Sequence, residues 1–143
     1  MYEIIKFTRS DEEKVLDLWR YVCLEEHNFS DWKDYLNETH SEEYVGFWVA
    51  KKEDKILGTI AISENKDGSV ELKRLYTDPE ARGIGTAKAL LDVVYDYVKE
   101  NDINKISLET YERFGRAVNF YIKNGFSETK REGEKIFFEK EIV

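Results

Sequence analysis

Only one cysteine, Cys23, occurs among the 143 residues, and no disulfide can therefore form within the chain. A lone cysteine is typical of proteins kept in a reducing compartment, and we read Cys23 as a helix packing residue. Long apolar runs are also missing. A membrane-spanning helix needs about 18 consecutive apolar residues, and no window of the sequence approaches that length. The first residues lead directly into a structured pattern, without the basic stretch and apolar run of a signal peptide. We therefore expect a cytoplasmic protein with no membrane partner.

Basic residues are fewer than acidic ones. The chain has 22 lysine and arginine residues against 30 aspartate and glutamate residues, which gives a net charge of −8. A nucleic-acid-binding surface would need a basic stripe, so nucleic acid is not expected as a partner. An acidic balance suits an amine-bearing partner, although acidic soluble proteins are common. The two histidines, His27 and His40, lack the spacing of metal ligands, so no metal site is expected.

The pattern of apolar residues predicts one domain over residues 1–143 with a mixed architecture. Helical spacing predicts a first helix with Ser10 and Glu13 as a capping box, a second over residues 30–38, a third after Gly85 and a fourth before Gly125. The order β–α–α–β–β–β–α–β–α–β–β, with one parallel crossover, predicts an α+β fold. We expect a mixed, mostly antiparallel sheet of about seven strands with about four helices. The expected strands lie at residues 2–7, 47–50, 56–63, 70–77, 105–110, 126–131 and 135–142.

The most informative stretch, residues 70–91, reads as a strand, a turn at Asp78-Pro79, a glycine-rich loop and a helix. Glycines let backbone amides approach a ligand closely, and amides at a helix N-terminus favour anions. An arginine adds a forked cation beside them. We therefore expect a pyrophosphate cradle, formed by Arg82, Gly83, Ile84, Gly85, Thr86, Ala87 and Lys88.

Three known glycine loops compete for this stretch. A P-loop would end in Gly-Lys-Ser/Thr, and Lys88 has no glycine before it. A dinucleotide fingerprint would need a third glycine at position 88 in an early strand–helix–strand unit. The third pattern, Arg/Gln-x-x-Gly-x-Gly/Ala, is satisfied by Arg82, Gly85 and Ala87. In this loop the chain resembles the GNAT superfamily of acetyl-CoA-dependent N-acetyltransferases.

Two further segments are similar to the same superfamily, and the resemblance covers nearly the whole chain. Leu-x-x-Leu-Tyr-Thr-x-Pro at residues 72–79 resembles its fourth strand. Phe-Tyr-x-Lys-x-Gly-Phe at residues 120–126 resembles its late signature. One position departs from the pattern: many members carry Asn three residues before the alanine matched by Ala117, and this chain has Phe114 there. The contact of that Asn with the cofactor would be lost here, or supplied by a neighbour such as Arg113 or Arg116.

The resemblance implies where the donor binds and which residues react. The backbone of Leu75, Tyr76 and Thr77 would hold the pantetheine and the acetyl carbonyl, while the loop holds the pyrophosphate. Tyr121 would be the general acid that protonates the leaving thiolate, although it also reads as a tyrosine packed in the core. Glu71, on the same strand, would be the general base, although it also reads as a solvated strand residue. His27 is the second candidate for the base.

These expectations combine into an acetyl-CoA-dependent N-acetyltransferase, with acetyl-CoA as co-substrate and no metal. The acceptor would be a primary amine of a small molecule or a peptide, attacking directly in a ternary complex. The alternative is a non-catalytic acyl-CoA-binding module, in which the cradle survives but Tyr121 and Glu71 do no chemistry. A purely structural α/β protein would bind no CoA at all. Many relatives pair as dimers, so a homodimer is possible.

Overall fold

The computed structural model describes residues 1–26, 39 and 43–142. Seven strands form one sheet in the order β1-β2-β3-β4-β5-β7-β6. Three α-helices accompany it, α1 (Glu12–Arg20), α2 (Thr86–Glu100) and α3 (Gly115–Lys123). The predicted α+β fold with a seven-stranded mixed sheet is confirmed. The strands are β1 (Glu3–Lys6), β2 (Gly46–Lys52), β3 (Lys55–Glu64), β4 (Val70–Thr77), β5 (Lys105–Tyr111), β6 (Ser127–Glu132) and β7 (Lys135–Glu141).

Three of the about four expected helices lie within the described residues. A π-helical segment, Tyr21–Glu26, continues α1, and single 3₁₀ turns lie at Arg9–Asp11 and Pro79–Ala81. The helix predicted over residues 30–38 and the candidate base His27 both lie outside the described residues. Within the described ranges, none of the helices is long and apolar enough to cross a membrane.

Every neighbouring pair in the sheet is antiparallel except β4 and β5, which α2 connects as a parallel pair. Such a pair needs a crossover connection, whereas antiparallel neighbours can be joined by hairpins. The β2–β3 turn places Glu53 in the left-handed region with φ 55°, and the β3–β4 turn does the same for Gly68 with φ 86°. The parallel pair of the described sheet lies between an antiparallel set, β1–β4, and a second antiparallel set formed by β5, β7 and β6.

The two faces of the sheet carry separate apolar clusters because side chains alternate along a strand. Ile60 and Ile62 of β3 pack with α2 and α3. Ala61, between them, belongs to the cluster under α1, in which Trp19 stacks on Phe47 with ring centroids 5.9 Å apart. The helix pair α2 and α3 thus covers one face, and α1 covers β1–β4 on the other.

The predicted capping box at the start of α1 is wrong. Ser10 lies inside the preceding 3₁₀ turn, where its hydroxyl is 2.9 Å from the Thr8 hydroxyl. The helix begins at Glu12, after Asp11, whose side chain makes no capping hydrogen bond. Asp11 instead accepts a hydrogen bond of 3.0 Å from Lys51 Nζ on β2, and it is 4% exposed. A buried ion pair across the fold has taken the place of the local cap.

Candidate active site

The parallel pair β4–β5 opens into a cleft. These strands pair only at Val70 with Ile106 and at Glu71 with Ser107. Beyond that point β4 runs on to Thr77 and β5 to Tyr111 without pairing to each other, while each stays paired with its other neighbour. A cavity of about 760 Å³ lies between them and the N-termini of α2 and α3. The cleft therefore follows from a sheet that divides at its one parallel step.

A β-bulge shapes the β4 wall of this cleft. Tyr76 lies opposite Thr59 while Lys73 lies opposite Ala61, so β4 carries one extra residue there. Arg74 adopts φ 58°, an uncommon conformation for a residue with a side chain. Its carbonyl accepts a hydrogen bond of 2.7 Å from the Thr59 hydroxyl, which in turn accepts one of 2.9 Å from Trp19 Nε1. A buried hydrogen-bonded chain thus stabilises the bulge.

The Arg74 side chain packs under α1. Its guanidinium carbon lies 4.3 Å from the centroid of the Trp19 ring, and its Nε donates to the Tyr44 hydroxyl at 3.0 Å. The side chain is 5% exposed and still contributes to the cleft wall. Sequence reasoning missed this residue, because a bulge in an otherwise regular strand leaves no trace in the apolar pattern.

The glycine loop has a backbone conformation that glycine adopts readily. Gly83 and Gly85 adopt φ 82° and 83°, the left-handed region that side chains rarely enter. A Cβ added at either glycine would meet no atom within 4 Å, so the space above the loop is open. Both glycines line the cleft, whereas the side chain of Ile84 is 58% exposed and does not. Any contact of Ile84 with a ligand would be made by its backbone.

Thr86 marks the N-terminus of α2 as a polar binding surface. Its side chain is 1% exposed and lines the cleft. Within the described part of the chain, its hydroxyl has no hydrogen-bond partner. The first four N–H groups of a helix also lack intrahelical acceptors. An unsatisfied hydroxyl beside unsatisfied amides is costly unless a ligand or solvent accepts from them, and this arrangement fits a phosphate group.

Charges of both signs line the cleft, and β4 carries the cations Lys73 and Arg74 as well as the carboxylate of Glu71. Arg82, Lys88, Arg116 and Lys123 line the end formed by the loop and α3. The carboxylates that line the cleft, Glu71 and Glu109, lie instead on β4 and β5. A protein of net charge −8 therefore presents four cations around its glycine loop.

Tyr121 lies on α3 at the boundary between the core and the cleft, and its role as general acid stays a prediction. It is 6% exposed, with its ring 5.8 Å from that of Phe126 and 6.2 Å from that of Phe138. It also lines the cleft. Burial raises the pKa of its phenol far above the ordinary value, so the hydroxyl stays protonated at any working pH. The side chain is packed in the core and reaches the cleft at the same time.

Phe114 occupies the flank of α3 where the resemblance leads one to expect Asn. The ring is 9% exposed, lines the cleft and makes an edge contact of 5.6 Å with Tyr111. A phenyl ring cannot replace the hydrogen bonds of an amide. Of the two neighbours suggested to compensate, Arg116 lines the cleft, while Arg113 forms an ion pair of 3.3 Å with Glu134 and does not line it.

Apart from the Ile84 side chain, the cleft brings together all the residues predicted for the site. It adds residues that were not assigned to the site from the sequence. The period-2 alternation of β5 would have indicated Glu109, since it shares a face with Ser107 and Tyr111. The further lining residues are Val22, Leu72, Lys73, Arg74, Ala81, Glu109, Thr110, Tyr111, Phe114, Arg116, Ala117, Phe120 and Lys123.

Relatives of known structure share this architecture. A GNAT-family acetyltransferase from Staphylococcus aureus Mu50 superposes with a TM-score of 0.89 at 28% identity, over 100% of both chains. The PaiA N-acetyltransferase of Thermoplasma acidophilum, crystallised in complex with coenzyme A, gives a TM-score of 0.85 at 22% identity, over 99% of both chains. The second similarity concerns the fold alone.

Sequence comparison agrees with this. Human N-acetyltransferase 8B is 33% identical over 102 residues, which are 68% of this chain and 43% of the relative. The chain therefore spans less than half the length of that relative. The model of the acetyltransferase (GNAT) family matches residues 6–126. With the glycine loop that the sequence led us to expect, these matches show that the chain belongs to the GNAT family of acetyltransferases.

Proposed function

We propose that residues 1–143 act as one domain that transfers the acetyl group of acetyl-CoA to a primary amine of a small molecule or peptide. The observation that carries this proposal is the cleft between β4 and β5, with cations and an unsatisfied Thr86 hydroxyl at one end and Tyr121 and carboxylates along its walls. The family name and the coenzyme A bound to the archaeal neighbour support the choice of donor.

The donor would lie along the cleft with its phosphates at the glycine loop. CoA carries a pyrophosphate and a 3′-phosphate, and the four cations at that end offer complementary charge. The backbone of residues 83–88 and the Thr86 hydroxyl would donate to the pyrophosphate. The edge of β4 at Leu75, Tyr76 and Thr77, which β5 leaves unpaired, would bind the pantetheine and the acetyl carbonyl.

The transfer needs a base that takes a proton from the attacking ammonium group and an acid that protonates the departing sulfur. A primary ammonium of pKa about 10.4 costs roughly 4.6 kcal/mol to deprotonate at pH 7, so a carboxylate near the attacking nitrogen raises the rate. Glu71 on β4 is the candidate that the resemblance implies, and it lines the cleft. The amine nitrogen then bonds to the thioester carbon, the carbon–sulfur bond breaks, and Tyr121 gives its proton to the departing sulfur. A backbone N–H of β4 would stabilise the negative charge that develops on the carbonyl oxygen.

Calorimetric titration with acetyl-CoA, free CoA and NADH tests the donor site. We expect binding of acetyl-CoA and CoA but not of NADH, with affinity that falls as salt is added because the contacts are ionic. A screen of primary amines, followed by the release of free thiol, then tests transfer. Absence of acetyl-CoA binding would refute the donor site.

A non-catalytic acyl-CoA-binding module is the second candidate, and the presence of Phe114 at the expected Asn position favours it. Such a module would bind acetyl-CoA in the titration and release no thiol with any amine. Release of thiol that depends on the amine, with formation of the acetylated amine confirmed by mass spectrometry, would exclude it.

A further inference from the structure

We propose that Glu109 of β5, rather than Glu71, receives the proton from the attacking ammonium group. This inference rests on the proposed acetyl transfer and assigns one of its steps. No motif drew attention to Glu109, and it is placed in the cleft by the geometry of the divided sheet.

Position along the strands favours Glu109. Glu71 is level with Ser107 in the last pair that joins β4 to β5. From Glu71 to the bulge at Arg74 and Leu75 is up to four residues, or about 13 Å in an extended strand. Glu109 is two residues beyond Ser107, which brings it about 7 Å closer to the level of the bulge on the opposite wall. Glu71 lies where the sheet is still closed, and Glu109 lies where it has opened.

The direction of the side chain also favours this role. Ile106 and Leu108 are buried in the cluster under α2 and α3, so Glu109, between Leu108 and Thr110, points to the other face of the sheet. There α1 covers only the β1–β4 half. Glu109 is 44% exposed, and an amine arriving from solvent on this face would meet it at the mouth of the cleft.

Neighbouring charges keep both carboxylates paired without closing off Glu109. Glu109 Oε1 lies 3.7 Å from Lys135 Nζ of β7, a distance at the long end for an ion pair. Glu71 Oε1 lies 3.9 Å from Lys73 Nζ on its own strand. Tyr111 of β5 and Glu139 of β7 share this face, and Glu139 lies 3.9 Å from Lys105 Nζ. Lys130 Nζ of β6 lies 4.7 Å from the centroid of the Phe137 ring. An incoming ammonium would replace Lys135 as the partner of Glu109.

The step balances as follows. The ammonium gives one proton to the Glu109 carboxylate and becomes a neutral amine. Its nitrogen forms a bond to the thioester carbon, the carbon–sulfur bond breaks with its electron pair on sulfur, and Tyr121 protonates that sulfur. The amide nitrogen loses its second proton to the resulting phenolate, and Glu109 returns its proton to solvent. The net products are the acetylated amine, free CoA and one proton.

The experiment compares three variants: Glu109→Gln, Glu71→Gln and Glu139→Gln. Glu139 is a matched control, because it lies on the same sheet face, is 43% exposed and has Lys105 Nζ at 3.9 Å, but does not line the cleft. Each variant and the wild type are assayed for thiol release with the best amine from the screen, from pH 6 to 10, after calorimetry has established the affinity for acetyl-CoA.

We expect Glu109→Gln to lower kcat about 100-fold at neutral pH with unchanged acetyl-CoA affinity. Its rate should climb with pH towards the ammonium pKa of about 10.4, since only the free amine then reacts. A purely structural role would lower the rate equally at every pH. A larger loss in Glu71→Gln, or a Glu109→Gln profile matching that of Glu139→Gln, would overturn the assignment while leaving the transfer intact. An inactive wild type that binds acetyl-CoA would refute the proposed function itself.

Discussion

Replacement of Tyr121 by phenylalanine is the sharpest test of the chemistry in the cleft. The ring packs against Phe126 and Phe138, and those contacts survive the loss of one hydroxyl. Burial is the cause of the raised pKa of that phenol, and the loss of its hydroxyl should alter the free energy of unfolding by less than about 1 kcal/mol. Acetyl-CoA affinity should also be unchanged, because the cations and the glycine loop are intact.

The effect on turnover should be large. A positioned general acid contributes about 100-fold or more, which corresponds to about 2.7 kcal/mol of the activation barrier. Burial raises the pKa of Tyr121, and each unit that separates it from the thiol of CoA costs about 1.36 kcal/mol of proton transfer. The same burial destabilises the departing thiolate, and this brings the two affinities for the proton closer together. The acid is therefore suited to a leaving group that forms inside the cleft.

The assay is the pH dependence of kcat for both proteins. Because the phenol remains protonated throughout the working range, Tyr121→Phe should lower kcat by a constant factor between pH 6 and 10 and move neither limb of the profile. Unchanged kcat would remove Tyr121 as the acid. A parallel loss of acetyl-CoA affinity would show that the hydroxyl binds the donor, and the reasoning would fail in that case too.

Three further predictions concern single side chains. Thr86→Val removes a buried, unsatisfied hydroxyl, so thermal stability without ligand should hold or rise. The affinity for acetyl-CoA, measured by calorimetry, should fall about 3- to 10-fold because a donor to the phosphate is lost. An unchanged affinity would remove Thr86 from the phosphate site. Burial raises the pKa of Cys23 to about 11, so the stability that its thiol contributes below its ordinary pKa is lost as pH rises from 9 to about 11. The free energy of unfolding from urea titrations should then fall with a slope approaching about 1.4 kcal/mol per pH unit. Cys23→Ala should flatten that slope, and an equally steep loss in the variant would contradict the assignment. Hydrogen bonds from the hydroxyl and backbone N–H of Ser69, with Lys105 nearby, lower the pKa of Asp67 to about 2. The contribution of this carboxylate to the free energy of unfolding is therefore full above the ordinary carboxyl pKa and is lost as pH falls towards 2. Asp67→Asn should lower stability at pH 7 and flatten the loss of stability at acid pH, and an unaltered loss at acid pH would refute the prediction.

The local chemistry of the chain was predictable because it depends on neighbours in sequence. Gly125 occupies the left-handed conformation expected of a glycine that ends a helix, with φ 88°. Turn residues and apolar spacing predicted all seven strands, including β6, whose six residues are all exposed and which the hairpin turn before β7 indicated. The first helix start was mistaken, because Asp11 is held by Lys51 from a strand 40 residues away.

The cleft itself was decided by contacts between distant elements. The sequence by itself determined the glycine loop, the order of strands and helices along the chain and the side chains available for chemistry. Only the tertiary structure decided that β4 and β5 part after two residue pairs and that Arg74 bulges over Trp19. It also decided that Glu109 lies at the opening while Glu71 lies behind it. These features depend on register and on hydrogen bonds between strands, and register is a relation between segments that no single segment encodes.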